Sequence, residues 1–357
     1  MSREAQPLTV AVVGATGVVG RTMIQVLSER HFPVGELRLL ASGRSAGSTV
    51  SADGRTLTVG EATPDAFEGV DIALFSAGGD VSRQLAPEAA ARGATVIDNS
   101  NAWRMDPKVP LIVSQVNPED GEWHEGIVAN PNCSTMQLVP VLMALRDRVG
   151  LERVIVDTYQ SVSGTGAEAL AELETQIRAH VGGEPKVASV YPHPIAFNAL
   201  PEIDVFLDNG YPREEWKIVT ESRKILHLPD LRVSCTAVRV PVFVSHSEAV
   251  HVETTRRITP DEARRAFAAV PGVVVVDNPQ NHEYPLATQA AGKDEIFVGR
   301  VRTDPSVGRG LAFWVVSDNL RKGAATNAVE IAELLLERGW VKARSSRGVP
   351  GRDGETS

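Results

Sequence analysis

The sequence predicts an α/β protein in two parts: a doubly wound parallel sheet, then an α+β domain whose sheet is largely antiparallel. Three observations carry this. Continuous β-branched runs alternate with helix-spaced runs over the first hundred residues. A glycine-rich turn joins the first such strand to the first such helix. Beyond residue 150 the apolar runs lengthen, and several show period-two alternation.

In order, "LTVAVVG" (8–14) reads as a buried parallel strand. "VVGRTMIQVLSER" (18–30) has helical spacing at Val19, Met23, Val26 and Leu27. "ELRLLAS" (36–42), "VDIALFSA" (70–77) and "ATVIDNS" (94–100) are further buried strands, with a helix over 80–92. A helix-like run follows Cys133 and ends near Gly150. Longer strands are expected over 153–163, 231–244, 248–258, 295–304 and 310–319. "KGAATNAVEIAELLLERGW" (322–340) is an amphipathic helix expected to return to the first domain and close it. These readings divide the chain into a cofactor domain, 1–132 with 322–342, and a second domain, 133–321. The polar tail 343–357 has the composition of a disordered segment.

Composition narrows the classes of function. The chain has 357 residues, is 43% hydrophobic and carries a formal net charge of -9 with no basic block, which argues against nucleic acid and anionic membrane as partners. No apolar run reaches membrane-spanning length, and the N-terminus lacks the pattern of an export signal. Two cysteines make no disulfide framework, which suits a reducing compartment, and the expected location is the cytoplasm. Neither CxxC nor HxxxH occurs, so no metal is expected.

"VVGATGVVGR" places Gly14, Gly17 and Gly20 between strand and helix. A tight turn, close backbone approach and a helix N-terminus suit a pyrophosphate, and the context is that of a Rossmann-type dinucleotide site. The second strand ends "LLASGRSAGS", with Ser42, Arg44 and Ser45 and no acid. An arginine there suits a 2'-phosphate, so NADP is the expected cofactor; the bland reading of Arg44 is a solvated loop residue.

Cys133, in "VANPNCSTMQL", falls where a helix should begin, with Asn132 or Ser134 as its cap. A helix start lowers a thiol's pKa, so Cys133 reads as a nucleophile, against the alternative of a small buried residue. Cys235, within an alternating strand, reads as structural. A nucleophile wants an acid/base partner. His246 and His251 are an odd number of residues apart and face opposite ways in an unbroken strand. His246, between two serines, is the better pocket candidate. Gln160 stands where a strand meets a glycine-containing turn. Arg239, inside an apolar strand, needs either a structural partner or a substrate carboxylate. Arg104 follows a parallel strand on the edge where ligands gather. Glu221 and Lys224 read by position alone as a solvated ion pair on a helix.

Taken together, "GATGVVG", "SGRSAG", "DNSNAWRMDPKVPLIVSQVNPED", "ANPNCST", "TYQSVSGTG", "YPHPIAFNALPEID", "RVPVFVSHSEAVHVE" and "SDNLRKGAATNAVEIAE" resemble the aspartate-semialdehyde dehydrogenase family from about residue 8 to 340. The pattern is similar to its shorter Gram-positive and actinobacterial branch. The resemblance implies NADPH-dependent reductive dephosphorylation of L-4-aspartyl phosphate to L-aspartate 4-semialdehyde, with release of phosphate. That step leads to lysine (through diaminopimelate), methionine, threonine and isoleucine. It implies Cys133 as nucleophile through a thioester, preceded by Asn132, with His246 as acid/base and Gln160 orienting the substrate. It also implies Arg239 on the α-carboxylate, Glu221 on the ammonium group, and Arg104 with Lys224 on phosphate. NADP contacts implied are Thr16, Gly17, Val18, Val19, Arg44, Ser45, Ser163, Gly164 and Asn319. The second domain is implied to catalyse and to form most of a homodimer interface. Pro194 and Thr326 stand where the family more often has Gln and Trp. Two alternatives stay open: N-acetyl-γ-glutamyl-phosphate reductase, which has no free amine to hold, and a non-catalytic NADP-binding paralogue.

Overall fold

The computed structural model describes residues 7–52 and 54–341. The tail over 343–357 lies outside the described residues. The chain runs through β1 (Leu8–Val13), α1 (Val18–Glu29) and β2 (Val34–Ala41). A separate antiparallel pair, β3 (Thr49–Ala52) and β4 (Arg55–Thr58), precedes the short β5 (Gly60–Glu61). Then come β6 (Ile72–Phe75), α2 (Gly79–Ala91), β7 (Thr95–Asp98) and β8 (Ile127–Ala129). The first sheet has the order β5-β2-β1-β6-β7-β8, parallel throughout. The strands and helices expected between 8 and 100 form within two residues of their expected bounds.

Period two decides what covers this sheet. Val10, Val12, Ile72 and Leu74 face α1 residues Met23, Val26 and Leu27. Ala11, Val13, Ala73 and Phe75 face α2 residues Leu85, Ala86 and Ala89 on the other side. Both faces are dry, which is why the strands are continuously apolar.

After β8 comes α3 (Cys133–Val149), which ends at Gly150 with φ +76°. The chain continues with β9 (Leu151–Gln160), α4 (Ala167–Gly182), α5 (Arg213–Ile225), β10 (Arg232–Arg239) and β11 (His246–Thr254). Next come α6 (Pro260–Ala268), β12 (Val273–Val275), α7 (Ala287–Ala290), β13 (Ile296–Asp304) and β14 (Gly310–Ser317). The sheet order is β10-β9-β11-β14-β13-β12. The inner pairings are antiparallel, but β10 runs parallel to β9 and β12 parallel to β13. The sheet is therefore mixed: helical crossovers between those strand pairs return the chain in its original direction. One face packs on α3, α5 and α6 through Met136, Leu138, Ile218 and Phe267. The other carries Tyr159 and Trp314, rings 5.4 Å apart, with Tyr159 39% exposed.

The segment expected as one helix from 322 starts with a π-helical turn, Arg321–Thr326, before α8 (Asn327–Glu337). Its Gly323 lies against the nucleophile helix: a Cβ there would stand 3.0 Å from Cys133 Cβ. Widened turns of this kind recur at functional sites. Ala328, Val329, Ile331, Ala332 and Leu335 of this C-terminal run share one core with Val10, Val12, Ile72 and Ile97. Among the described residues no helix is long and apolar enough to cross a membrane.

Candidate active site

The turn Asn130-Pro131-Asn132 leaves β8 and aims α3 at the junction of the two domains. Asn132 caps the helix: its Oδ1 accepts from Ser134 N at 2.9 Å and from Thr135 N at 3.3 Å. Cys133 is the first helical residue and lines a cavity of about 310 Å³ with Asn132, Gln160, Glu214, Lys217 and Arg239.

Gln160 ends β9, and its Nε2 donates to Ser134 Oγ at 3.0 Å and to Glu214 Oε1 at 3.1 Å. Arg239 ends the neighbouring β10 at the same level, its Nη1 donating to Ser161 O at 2.7 Å. Its buried Nε has no partner. His246, fully buried at the start of β11, lies against Gly164: a Cβ there would stand 3.3 Å from His246 Nε2. Ser161 N donates to His246 Nδ1 at 3.0 Å, and Nε2 has no partner. His251 is on the opposite face, paired with Asp304 at 3.0 Å, outside this cavity.

Two expected site residues go elsewhere. Lys224 spends its ammonium on three backbone carbonyls, those of Arg104, Asp106 and Val109, each at 2.8 Å. With three donors committed it has none for a phosphate. Glu221 is 1% exposed and lies behind the cavity. It accepts from Arg104 Nη1 at 3.0 Å and from Asn132 N at 2.6 Å, so it has no room for a substrate ammonium group. The carboxylate and lysine that do line the cavity are Glu214 and Lys217, paired at 3.1 Å. Sequence reasoning missed them. "REEWK" carries the same i, i+3 acid–lysine spacing as "ESRK", two turns earlier on α5. Arg104 lines the cavity, oriented by Asn130 O, Asn99 O and Glu221.

Gly14, Thr16, Gly17, Ser42 and Arg44 line a recess of about 680 Å³ at the C-terminal edge of the parallel sheet. Gly14 has φ +84°, and a Cβ on it would stand 2.4 Å from Ser76 O. Gly17 caps α1 with no side-chain hydrogen bond, so the first-turn N–H groups are left for a pyrophosphate. Gly20 is buried; a Cβ would strike Gly14 O, so this glycine serves strand–helix packing. Val18 starts α1 and Ser45 lies in the turn after β2, and neither lines the recess. Val19, Ser163, Gly164 and Asn319 line the catalytic cavity, together with Gly78 and Gly79 at the start of α2, which the sequence reading passed over. One acid, Glu61 of β5, lines the recess as well. The glycine turn and the free first-turn N–H groups of α1 fit a dinucleotide's pyrophosphate.

The electrostatics overturn one expectation. Burial pushes the Cys133 thiol up to about 12, helped by the charge of Glu214 and opposed by Arg239, Arg104 and Lys217. At the helix start, Asn132 Oδ1 accepts the amides of Ser134 and Thr135. Burial, then Arg239, depresses His246 to about 3 against the pull of Glu214. For Glu214 burial works upward, but Lys217, Asn132 and Arg239 prevail and hold it at about 2. Burial also pushes up the thiol of Cys235, which lies in the second core.

Residues 9–124 match the family model "Semialdehyde dehydrogenase, NAD binding domain", and residues 142–322 match "Semialdehyde dehydrogenase, dimerisation domain". Aspartate-semialdehyde dehydrogenase of Aquifex aeolicus (strain VF5) is 54% identical over 337 residues, 93% of this chain and 99% of its own. That of Bacillus subtilis (strain 168) is 51% identical, covering 92% of this chain and 97% of its own. The crystal structure of aspartate semialdehyde dehydrogenase II from Vibrio cholerae, complexed with ASA, superposes with a TM-score of 0.91 at 47% identity, covering 93% of this chain and 99% of that one. A glycine-lined recess at the sheet edge, a half-buried thiol in a charged cavity, a matching pair of domains and relatives alike over nearly their whole length lead to one assignment: the chain belongs to the aspartate-semialdehyde dehydrogenase family.

Proposed function

We propose that the chain catalyses the reversible NADPH-dependent reductive dephosphorylation of L-4-aspartyl phosphate to L-aspartate 4-semialdehyde, the step that leads towards lysine (through diaminopimelate), methionine, threonine and isoleucine. The observation that carries this reading is a single cavity holding one thiol, one carboxylate and three cations: Cys133, Glu214, Arg239, Arg104 and Lys217. The substrate carries an ammonium group, an α-carboxylate and a phosphate, and these complement that set. Glu214 faces the ammonium group and Arg239 grips the α-carboxylate, where a guanidinium fork suits a planar anion. Arg104 and Lys217 receive the phosphate. A free carboxylate in the pocket favours a free amine over an acetylated one.

Cys133 Sγ attacks the acyl carbon, phosphate leaves towards Arg104 and Lys217, and a thioester remains on Cys133. Bound NADPH supplies the hydride that reduces this thioester. Gln160 and Asn132 hold Glu214 and the helix start in register. His246 presents Nε2 beside Gly164. Ser42, Arg44 and Ser45, after a β2 that ends without an acid, support NADP over NAD. The domain division that serves this reading is 1–132 with 322–342 for the cofactor, and 133–321 for catalysis and dimerisation. The open sheet face with Tyr159 and Trp314 suits a homodimer contact. Both cysteines are free, which fits the cytoplasm.

The test is NADP reduction with L-aspartate semialdehyde, with and without phosphate. Phosphate-dependent reduction that vanishes in Cys133→Ala is the expected result. Reduction without phosphate, or preference for the N-acetylated five-carbon aldehyde, would overturn the reading.

A further inference from the structure

The π-turn over Arg321–Thr326 is a widened turn, rarer than the α-turn it replaces. Its long-step bonds run from Gly323 N to Asp318 O at 3.0 Å and from Ala325 N to Leu320 O at 3.1 Å. The widening bears on the site. Asn319, Leu320, Gly323 and Ala324 form one wall of the Cys133 cavity, and a Cβ on Gly323 would stand 3.0 Å from Cys133 Cβ. A wall so close to the thiol has to hold its place to within about 0.5 Å for the site to keep its geometry.

What holds the turn comes from outside it, from the loop before β13. Asp294 of that loop reaches both ends of the turn. Its Oδ1 accepts from Arg321 Nε at 2.9 Å and its Oδ2 from Arg321 Nη2 at 3.0 Å, the two-bond fork of arginine on a carboxylate. Oδ1 also accepts from Thr326 Oγ1 at 2.5 Å. The same loop is fastened at the entry to the turn. Gly292 N donates to Asp318 Oδ2 at 2.7 Å, while Asp318 Oδ1 accepts from Leu320 N and Arg321 N. Arg321 Nη2 goes on to Glu29 Oε2 at the end of α1, so the tie also reaches the helix that starts at the glycine turn. Arg321 and Thr326 are buried. Burial works to raise the Asp294 carboxyl, but Arg321 and Thr326 prevail and hold it below its ordinary value.

We propose that Asp294 is a positioning residue: by gripping Arg321 and Thr326 it fixes the π-turn against Cys133 and sets the width of the cavity in which the thiol reacts. This rests on the reading of Cys133 as the nucleophile. Asp294 is not among the residues that line the cavity, so it acts through the turn. An ion pair that served stability alone would leave the thiol's surroundings as they are when it is cut. Here the cut frees both ends of a six-residue wall whose middle meets the reacting sulfur's own residue.

The test compares Asp294→Ala, Thr326→Val and the double variant with the wild-type full chain. Thr326→Val removes one hydroxyl and keeps the side chain's shape and the Arg321–Asp294 pair, so it decides alone should Asp294→Ala misfold. Both single variants should lower kcat while KM for phosphate holds. For Asp294→Ala the expected loss is about tenfold or more, since a displacement of about 1 Å at the reacting atoms can cost about 10²-fold. Iodoacetamide should label Cys133 several-fold faster in both, at temperatures well below their unfolding midpoints, because the wall has loosened. On the Asp294→Ala background Thr326→Val should cost nothing further in kcat, since the hydroxyl's partner is already gone. Lower thermal midpoints with unchanged kcat and unchanged labelling would make the group a structural ion pair and overturn the proposal. Additive losses in the double variant would overturn it too. Labelling is read without substrate, so it decides the role of Asp294 even if the wild-type chain showed no phosphate-dependent turnover, a result that would count against the proposed reaction instead.

Discussion

The Asn132 side-chain amide donates to the Glu214 carboxylate at 2.7 Å, which ties the cap of the Cys133 helix to a carboxylate that lines the same cavity. One residue thus sets the start of α3 and orients Glu214 on α5. Asn132→Ala should lower stability by about 1 kcal/mol through the lost cap. It should also lower kcat/KM by more than its effect on folding explains, because Glu214 loses a donor. Urea midpoints and steady-state kinetics on the same preparation check both; an unchanged kcat/KM in a folded variant would sever the link.

The two lysines of α5 should separate cleanly. Lys217→Ala is expected to raise KM for phosphate about tenfold or more, the loss of a charged contact worth about 1.5–3 kcal/mol, and also to lower the thermal midpoint, because buried Glu214 loses its counter-ion. Lys224→Ala leaves three part-buried carbonyls without their donor and should lower the midpoint while KM for phosphate holds. The reverse pattern would restore Lys224 to the phosphate site.

The acids of the same helix should part likewise. Glu214→Gln should raise KM for the semialdehyde, whose ammonium group loses its counter-charge. Glu221→Gln should act on phosphate instead, through Arg104, which Glu221 holds at 3.0 Å. Measuring KM for each substrate in both variants distinguishes the assignments.

Cys133 in the free enzyme should alkylate slowly at pH 7, with a rate still rising beyond pH 9.5, since burial pushes its thiol up to about 12. Iodoacetamide labelling against pH, read by peptide mass spectrometry, tests this. A plateau near neutral pH would mean that the helix start governs after all. Cys133→Ala should abolish turnover and leave nucleotide binding intact.

Stability should fall with acid in a defined window. The folded state holds His246 near 3, against an ordinary value of 6.5, so between these pH values the unfolded chain binds a proton that the folded chain refuses. Stability from this group is full above pH 6.5 and is lost as pH falls towards 3, at about 1.4 kcal/mol per pH unit. Glu214, depressed from 4.5 to about 2, adds a loss of the same sign below pH 4.5. His246→Gln should shrink the drop in denaturant midpoint between pH 7 and pH 5; an undiminished drop would place the titration elsewhere.

How much of this was legible in the chain follows from the range of each interaction. The strands and helices of the first domain are written in local periodicity, and the glycine turn, the cap before Cys133 and the opposed faces of His246 and His251 are each set within a few residues. Three matters were decided only by packing. Glu214 with Lys217 and Glu221 with Lys224 repeat the same spacing two turns apart, roughly 10 Å along one helix face, so local pattern cannot choose between them. The docking of α5 against α3 places the first pair in the cavity and buries the second behind it. The thiol is raised by burial and by Glu214, which lies far away in sequence and which no local pattern announces. The N–H that meets Nδ1 of His246 comes from Ser161, the residue that follows the neighbouring β9 and lies far away in sequence. Periodicity records which residues are apolar and how often; only the folded chain brings a carboxylate, a cap and an N–H from three separate segments to within 3 Å of their partners.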